Sequence, residues 1–328
     1  MNTTEFVHDA MPAAQRLRVE VAAGPAFETL IGLSALTSDG DLERCSPALR
    51  RALERVGARS SELWLHLLGL ALERPHDLTG AVRQTSAEEL RRHLVGVHVP
   101  AWRELVGSEA LEASARGDSA LLDHPAYYAG EARDSLALVL PLAPTETKRR
   151  ILAVLRSFEH ELLDPAVVAE LERDAARKRR LKVAPEELIE LACPGYRYEP
   201  EPELGTVVLV PQAAARPWLL LCQHGRKRII CYPLPEGEDL ERRALALGRA
   251  LADERRLRML RRLAAGDATL AELAGTAETA KSTAHHHVAH LRAAGLVTMH
   301  GNARAYRFAL RAEGFTEGRR LLAELGTG

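Results

Sequence analysis

The sequence predicts a mainly α chain with a small antiparallel β-meander, in which a helical N-terminal domain precedes a C-terminal unit of three helices and a β-hairpin. Three observations predict it. From about Pro25 to Cys193, apolar residues recur at three-to-four spacing. The texture then changes to short runs rich in β-branched and aromatic residues, "YRYE", "GTVVLVP", "RPWLLLCQH" and "RIICYPLP". After "LPEGEDLERR", punctuated by Pro235 and Gly237, helical periodicity returns. That boundary divides a domain of residues 1–235 from one of residues 236–328.

The N-terminal helices open on residues that accept hydrogen bonds from free helix N–H groups. Ser46 precedes "PALRRALERVG", Ser60 or Ser61 precedes "ELWLHLLGLALER", and Thr85 or Ser86 precedes "AEELRRHLVGV". Thr145 stands before "ETKRRILAVLRSFEHELL", and Pro165 fits the first helical position of the next segment. A short helix, "APEELIELA", ends before Pro194, and in the meander "HGRKR" reads as a hairpin turn.

In the C-terminal unit a helix over Leu240–Leu251 is followed by one capped by Asp253, with Leu257, Leu260 and Leu263 on its apolar face. A third begins at Thr269 with Glu272 three residues on, the pattern of a capping box. A turn leads into "KSTAHHHVAHLRAAGLV", closed by Gly295. "LVTMHGNARAYRFAL" reads as a hairpin with Gly301-Asn302 at its tip and Val297, Met299, Tyr306 and Phe308 along its arms. Three helices, the last after a short turn, then a hairpin: this is the layout of a winged helix-turn-helix.

With 46% hydrophobic and 27% charged residues in 328, the chain has an ordinary globular composition. Its net charge is −1, but Asp239 to Arg311 holds 13 Lys+Arg against 7 Asp+Glu, a local +6 that leaves −7 elsewhere. A basic segment on an acidic body is the electrostatic footprint of a nucleic-acid-binding module. Four scattered cysteines without a C-x-x-C pair imply reduced thiols, and Glu5 and Asp9 stand where a signal peptide needs a basic start, so a cytoplasmic location is expected. "SLALVLPLA" is too short to span a membrane. Trp64, Trp102 and Trp218 are expected in the core, and "RDAARKRRLK" (173–182) reads as a solvated helix face or a phosphate contact.

No phosphate-cradling loop, G-x-S-x-G elbow or catalytically spaced Cys/His pair occurs, and "HELLD" (160–164) lacks the second histidine of a zinc-protease helix. No catalytic residue, cofactor or metal site is therefore expected. A polar cluster lining a deep pocket would reopen the question of an enzyme.

"LADERRLRMLRRLA" and "STAHHHVAHLRAAGLV" resemble the second helix and recognition helix of the ArsR/SmtB family of bacterial transcriptional regulators, and Arg304 and Tyr306 match its wing. Glu254 replaces the family's proline, Glu278 its usual turn glycine, and Ala280 its helix-capping serine, so that Thr279 is left as a cap. The first two-thirds resembles an uncharacterised region that precedes such domains, through "RVEVAAGPAFETLIGLSAL" and the "VVLVPQ…PWLLLC…IICYP" strands.

The four histidines 285, 286, 287 and 290 pose a choice between metal and DNA. Wound at 3.6 residues per turn, Ala284, Val288 and Leu291 face the core, while Lys281, Ser282, His285, His286 and Ala289 face outward. His287 falls beside the core as a structural residue, and His290 is a partly exposed neighbour. Short donors and acceptors at the start of such a helix suit base edges in the major groove. Lys281, Ser282, Thr283, His285, His286 and the wing Arg304 are the candidate DNA contacts. His286 and His290 have the i,i+4 spacing of two metal ligands, but no Cys, Asp or Glu joins them on that helix. The family's sensor Cys-x-Cys is here Thr269-Leu270-Ala271, and the final segment has no histidine.

The resemblance thus implies a regulator, expected as a homodimeric repressor on double-stranded DNA, with a small-molecule or protein effector acting through the N-terminal domain and no membrane partner. The alternatives are an enzyme in residues 1–235 with a regulatory DNA-binding tail, or an ArsR-type metal sensor using the histidine cluster.

Overall fold

Short-range chemistry sets most of the helix ends. The computed structural model describes residues 17–38, 42–57, 60–124, 131–234 and 240–326. Strand β1 (Arg18–Val21) leads into α1 (Pro25–Ser38), α2 (Pro47–Glu54), α3 (Ser61–Leu65), α4 (Leu68–Glu73), α5 (Leu78–Gln84) and α6 (Ala87–Val95). Then come α7 (Pro100–Val106), α8 (Ser108–Ala115), a 3-10 turn, α9 (Glu131–Val139), α10 (Pro144–Glu161), α11 (Pro165–Arg179) and α12 (Pro185–Ala192). Strands β2 (Tyr196–Tyr198), β3 (Thr206–Gln212), β4 (Leu220–His224) and β5 (Lys227–Pro233) follow.

Ser46 accepts from the Leu49 N–H at 3.2 Å, Ser86 from Glu89 at 3.0 Å, and Asp164 from Ala166 at 2.8 Å ahead of Pro165. Thr145 does not cap α10, because Pro144, with its preset φ, starts the helix two residues earlier, after Ala143 as N-cap. Ser60 instead accepts from Trp64 Nε1 at 2.9 Å. The single helix expected after it is broken at His66–Leu67, and Leu63, Leu67, Leu68 and Leu70 on either side of the break are all buried.

Strands β1, β3 and β5 run parallel, and β4 flanks β5 antiparallel, in the order β1-β3-β5-β4. The β4–β5 hairpin turns at Gly225 (φ +55°) in the predicted "HGRKR". The rest of the expected meander is corrected: β3 pairs parallel with β5, β1 comes from a segment read as no strand, and β2 leaves for another sheet. Strand pairing is non-local, and alternation along one segment does not name its partner.

Alternation does decide the two faces. Val208, Val210, Ile229 and Cys231 pack into a helical core with Phe27, Leu30, Trp64 and Leu155. Val207, Leu209, Ile230 and Tyr232 point the other way, into a core shared with Leu247, Met259, Leu291 and Phe308. Each buried side chain of this kind contributes roughly 1.5–3 kcal/mol, so the sheet is a packed layer between two cores and no loose tether. The second core draws on residues before and after 235; residues 235–239, where the boundary was expected, lie outside the described ones.

The stretch 173–182 is partly internal. Lys178 Nζ donates to Asp174 at 2.6 and 2.7 Å, Tyr232 Oη donates to the same carboxylate at 2.6 Å, and both partners on α11 are buried. No disulfide joins the four cysteines, of which Cys45, Cys193 and Cys231 are buried. Among the described residues no helix is long and apolar enough to cross a membrane.

Candidate nucleic-acid interface

Beyond residue 239 the described elements are α13 (Leu240–Leu251), α14 (Glu254–Ala264), α15 (Leu270–Thr276), α16 (Lys281–Ala293), β6 (Val297–Gly301), β7 (Tyr306–Leu310) and α17 (Ala312–Leu325). Asp253 caps α14 by accepting from the Arg255 and Arg256 N–H groups, at 2.8 and 3.1 Å. Thr269 and Glu272 form the expected reciprocal box on α15. The core face of α14 is Met259, Leu260 and Leu263, whereas Leu257 is 39% exposed, one position round from the predicted stripe.

On α16, Ala284, Val288 and Leu291 are buried as the periodicity predicts. Lys281, Ser282, His285 and His286 are exposed and Thr283 is half-buried, so one surface gathers the predicted contacts. Ala289 is buried, against expectation, because α13, α14 and α15 all pack on α16 and widen its covered arc. His287 is structural: its Nδ1 accepts from Arg256 at 3.3 Å and lies 4.0 Å from Asp253. Among the described residues no metal-ligating group forms on this helix; the side chains close enough to share an ion are His93, His98 and His224.

Thr279 does not cap α16. The N-cap is Ala280, which has no side-chain acceptor, and Glu278 adopts the left-handed region at φ +51° to make the turn. Ala280→Ser is expected to stabilise the fold by about 1 kcal/mol, read as a raised urea midpoint at constant slope. No gain would mean that the first turn of α16 is already satisfied by other groups.

The hairpin is longer-looped than predicted. Gly301 still pairs with Tyr306, and Asn302 opens the loop by accepting from the Arg304 and Ala305 N–H groups, at 3.0 and 3.3 Å. A third strand, expected in the meander, completes this small sheet instead: β2 runs parallel to β6, pairing Tyr196 with Met299, and Tyr196 Oη donates to the Gly301 carbonyl at 3.0 Å.

Residues 251–300 match the family model described as a helix-turn-helix domain. The C-terminal helices carry a helix-turn-helix. No curated protein and no solved structure matches the chain.

Segments that precede residue 235 touch this helix-turn-helix. Trp218, expected in the core, is half-buried and sets its ring 4.9 Å from that of His285 and, edge-on, 4.5 Å from that of His286. Arg292 at the far end of α16 donates to the Pro217 carbonyl at 2.9 Å and to Pro194 at 3.3 Å, anchoring the Trp218 loop. At the wing, Arg304 pairs with Glu203 at 2.7 Å and lies 3.7 Å from Glu104. His285 stays exposed on its outer side, but partial loss of hydration where it packs against Trp218 holds it below the ordinary histidine value, with the neighbouring His286 and Arg292 adding to the effect. Nothing in the spacing of Trp218, Glu203 or Glu104 announced these contacts, because each is made across the fold.

Proposed function

We propose that the protein is an ArsR-type, DNA-binding transcription regulator, and that its first 235 residues form a domain that controls access to its DNA-reading surface. The observation that carries the reading is the contact of Trp218 and Glu203 with the residues that a winged helix-turn-helix offers to DNA: His285, His286 and Arg304. A signal that moves the Trp218 loop would free the helix, and one that tightens it would silence the protein. Repression of its own promoter in the uncovered state is the simplest such circuit, and a cytoplasmic location follows from it.

A homodimer fits this reading, because one winged helix covers a half-site and palindromic sites need two. Helices α13 and α17, packed on each other, leave Leu245 57%, Phe315 41% and Leu322 56% exposed, which supports their use between two copies.

The test uses the wing. Arg304→Ala is expected to weaken binding to promoter and unrelated DNA alike, and to flatten the salt dependence by about one phosphate contact. A loss confined to one DNA sequence would place Arg304 on a base edge instead. The enzyme alternative draws on a different observation, the histidine-lined cavity in the N-terminal part. Chelator-sensitive hydrolysis of simple ester substrates, without any DNA retardation at low salt, would favour it.

A further inference from the structure

We propose that His93, His98 and His224 form a binding site for a first-row divalent transition ion, zinc in the first instance. His93 lies in the last turn of α6, His98 follows in the link to α7, and His224 closes β4. One ring nitrogen of each lies within 4.8 Å of those of the other two. The ring centroids stand 5.1 Å (His93–His98), 4.6 Å (His98–His224) and 5.8 Å (His93–His224) apart. Three imidazoles on a tetrahedral zinc at about 2.0–2.1 Å place their centroids roughly 5 Å apart. The backbone therefore already holds the rings at ligating separation, and an ion would draw the nitrogens to a common point by turning the side chains, whose His93 and His224 planes now lie stacked at 8°.

The cluster is costly without such a partner. Nδ1 of His93, of His98 and of His224 are all buried with no hydrogen-bond partner, and His93 is only 9% exposed. An unsatisfied buried nitrogen costs about 1–3 kcal/mol, and three on neighbouring rings are hard to account for as packing. Burial also keeps the rings neutral, with lone pairs available: it pulls His93 down to about 4 and His98 to about 2, each lowered further by neighbouring histidines.

The surroundings fix the geometry and answer the charge. The His224 ring sits against Gly69, where any Cβ would overlap it, and the Gly225 N–H donates to the His98 carbonyl at 3.2 Å, pinning the hairpin to the α6–α7 link. The rings border a cavity of about 370 Å³ that also exposes Glu89, Glu112, Arg92 and Arg103. Arg92 is tied to both Glu89 and Glu112. Glu89 Oε1, 4.0 Å from His93 Nε2, is the carboxylate placed to complete the coordination or to orient His93. The site is separate from α16 and stands whether or not the chain reads DNA.

The experiment titrates metal-stripped full-length protein with Co²⁺, then displaces it with Zn²⁺. One Co²⁺ per chain is expected, with the intense visible bands of a four-coordinate ion. His98→Gln and His224→Gln should each weaken binding by roughly a hundredfold, and Gly69→Ala, which keeps every ligand but crowds His224, by about tenfold. The pair His286→Gln and His290→Gln should leave binding unchanged. Circular dichroism of the metal-free variants shows which remain folded, and Gly69→Ala serves if a histidine variant does not. Absence of the bands, or their loss with the α16 pair and not with the folded His98, His224 or Gly69 variants, overturns the assignment.

Discussion

Glu201→Ala is expected to destabilise the protein by about 3–5 kcal/mol, the largest single effect on stability that the structure foresees. Arg228 on β5 grips this carboxylate with two parallel bonds, Nε to Oε1 at 2.8 Å and Nη2 to Oε2 at 2.6 Å. Both residues are 3% exposed. Tyr198 Oη donates to the same oxygen at 3.2 Å, and Arg228 Nη1 donates to the Cys222 carbonyl at 3.0 Å. Removing the carboxylate leaves a guanidinium buried with one remaining carbonyl, and that uncompensated charge is the main cost. Replacing both partners by apolar groups, Glu201→Leu with Arg228→Met, should recover most of the loss, because neither charge is then desolvated. Urea unfolding of the two singles and the double decides it. A Glu201→Ala cost under about 1 kcal/mol, or a double as unstable as the singles combined, would show that the pair is not a buried unit. The consequence reaches the wing, since Glu201 sits between β2, which is paired to β6, and β3 in the central sheet.

Which features were legible in the sequence follows from the range of the interactions that set them. Leu240–Leu251, the Asp253 cap and the Thr269–Glu272 box were read to the residue, because each rests on contacts within one helical turn. The exposed positions of Lys281, Ser282, His285 and His286 came from periodicity alone. Periodicity failed at Ala289, where a third neighbouring helix covers the surface, and at Leu257, where helix packing rotates the stripe. The partners of β1 and β2 are 188 and 103 residues away in register, Arg18 with Thr206 and Tyr196 with Met299, and no local pattern carries such pairings. His93, His98 and His224 were passed over for the same reason. Their one sequence trace is that His93 and His98 lie near each other among apolar residues, "RRHLVGVHV", where an imidazole needs a reason to be buried.

Trp218→Ala should raise affinity for promoter DNA by about tenfold. Two ring contacts, each worth roughly 0.5–1.5 kcal/mol, hold the Trp218 loop on His285 and His286. If DNA binds only the uncovered form, the measured affinity is the intrinsic one scaled by the uncovered fraction, and weakening the cover raises that fraction until it approaches one. The same substitution should change the pH dependence. In the free protein, partial desolvation against Trp218 disfavours the charged form of the otherwise exposed His285, with His286 and Arg292 adding repulsion. Beside phosphate the charged form is favoured, so the His285 pKa rises on binding and the complex holds more protons than the separated partners. Affinity is then greatest below the free-state value and declines as pH rises through the bound-state value. Trp218→Ala raises the free-state value toward the ordinary range, narrows the difference, and flattens the slope. Fluorescence anisotropy at constant ionic strength from pH ~6 to ~8 reads both effects, with His285→Gln as the variant that should abolish the slope. Unchanged or weaker binding by Trp218→Ala would mean that the tryptophan is no cover, and that the loop remains in place, or contacts DNA itself, when the helix is read.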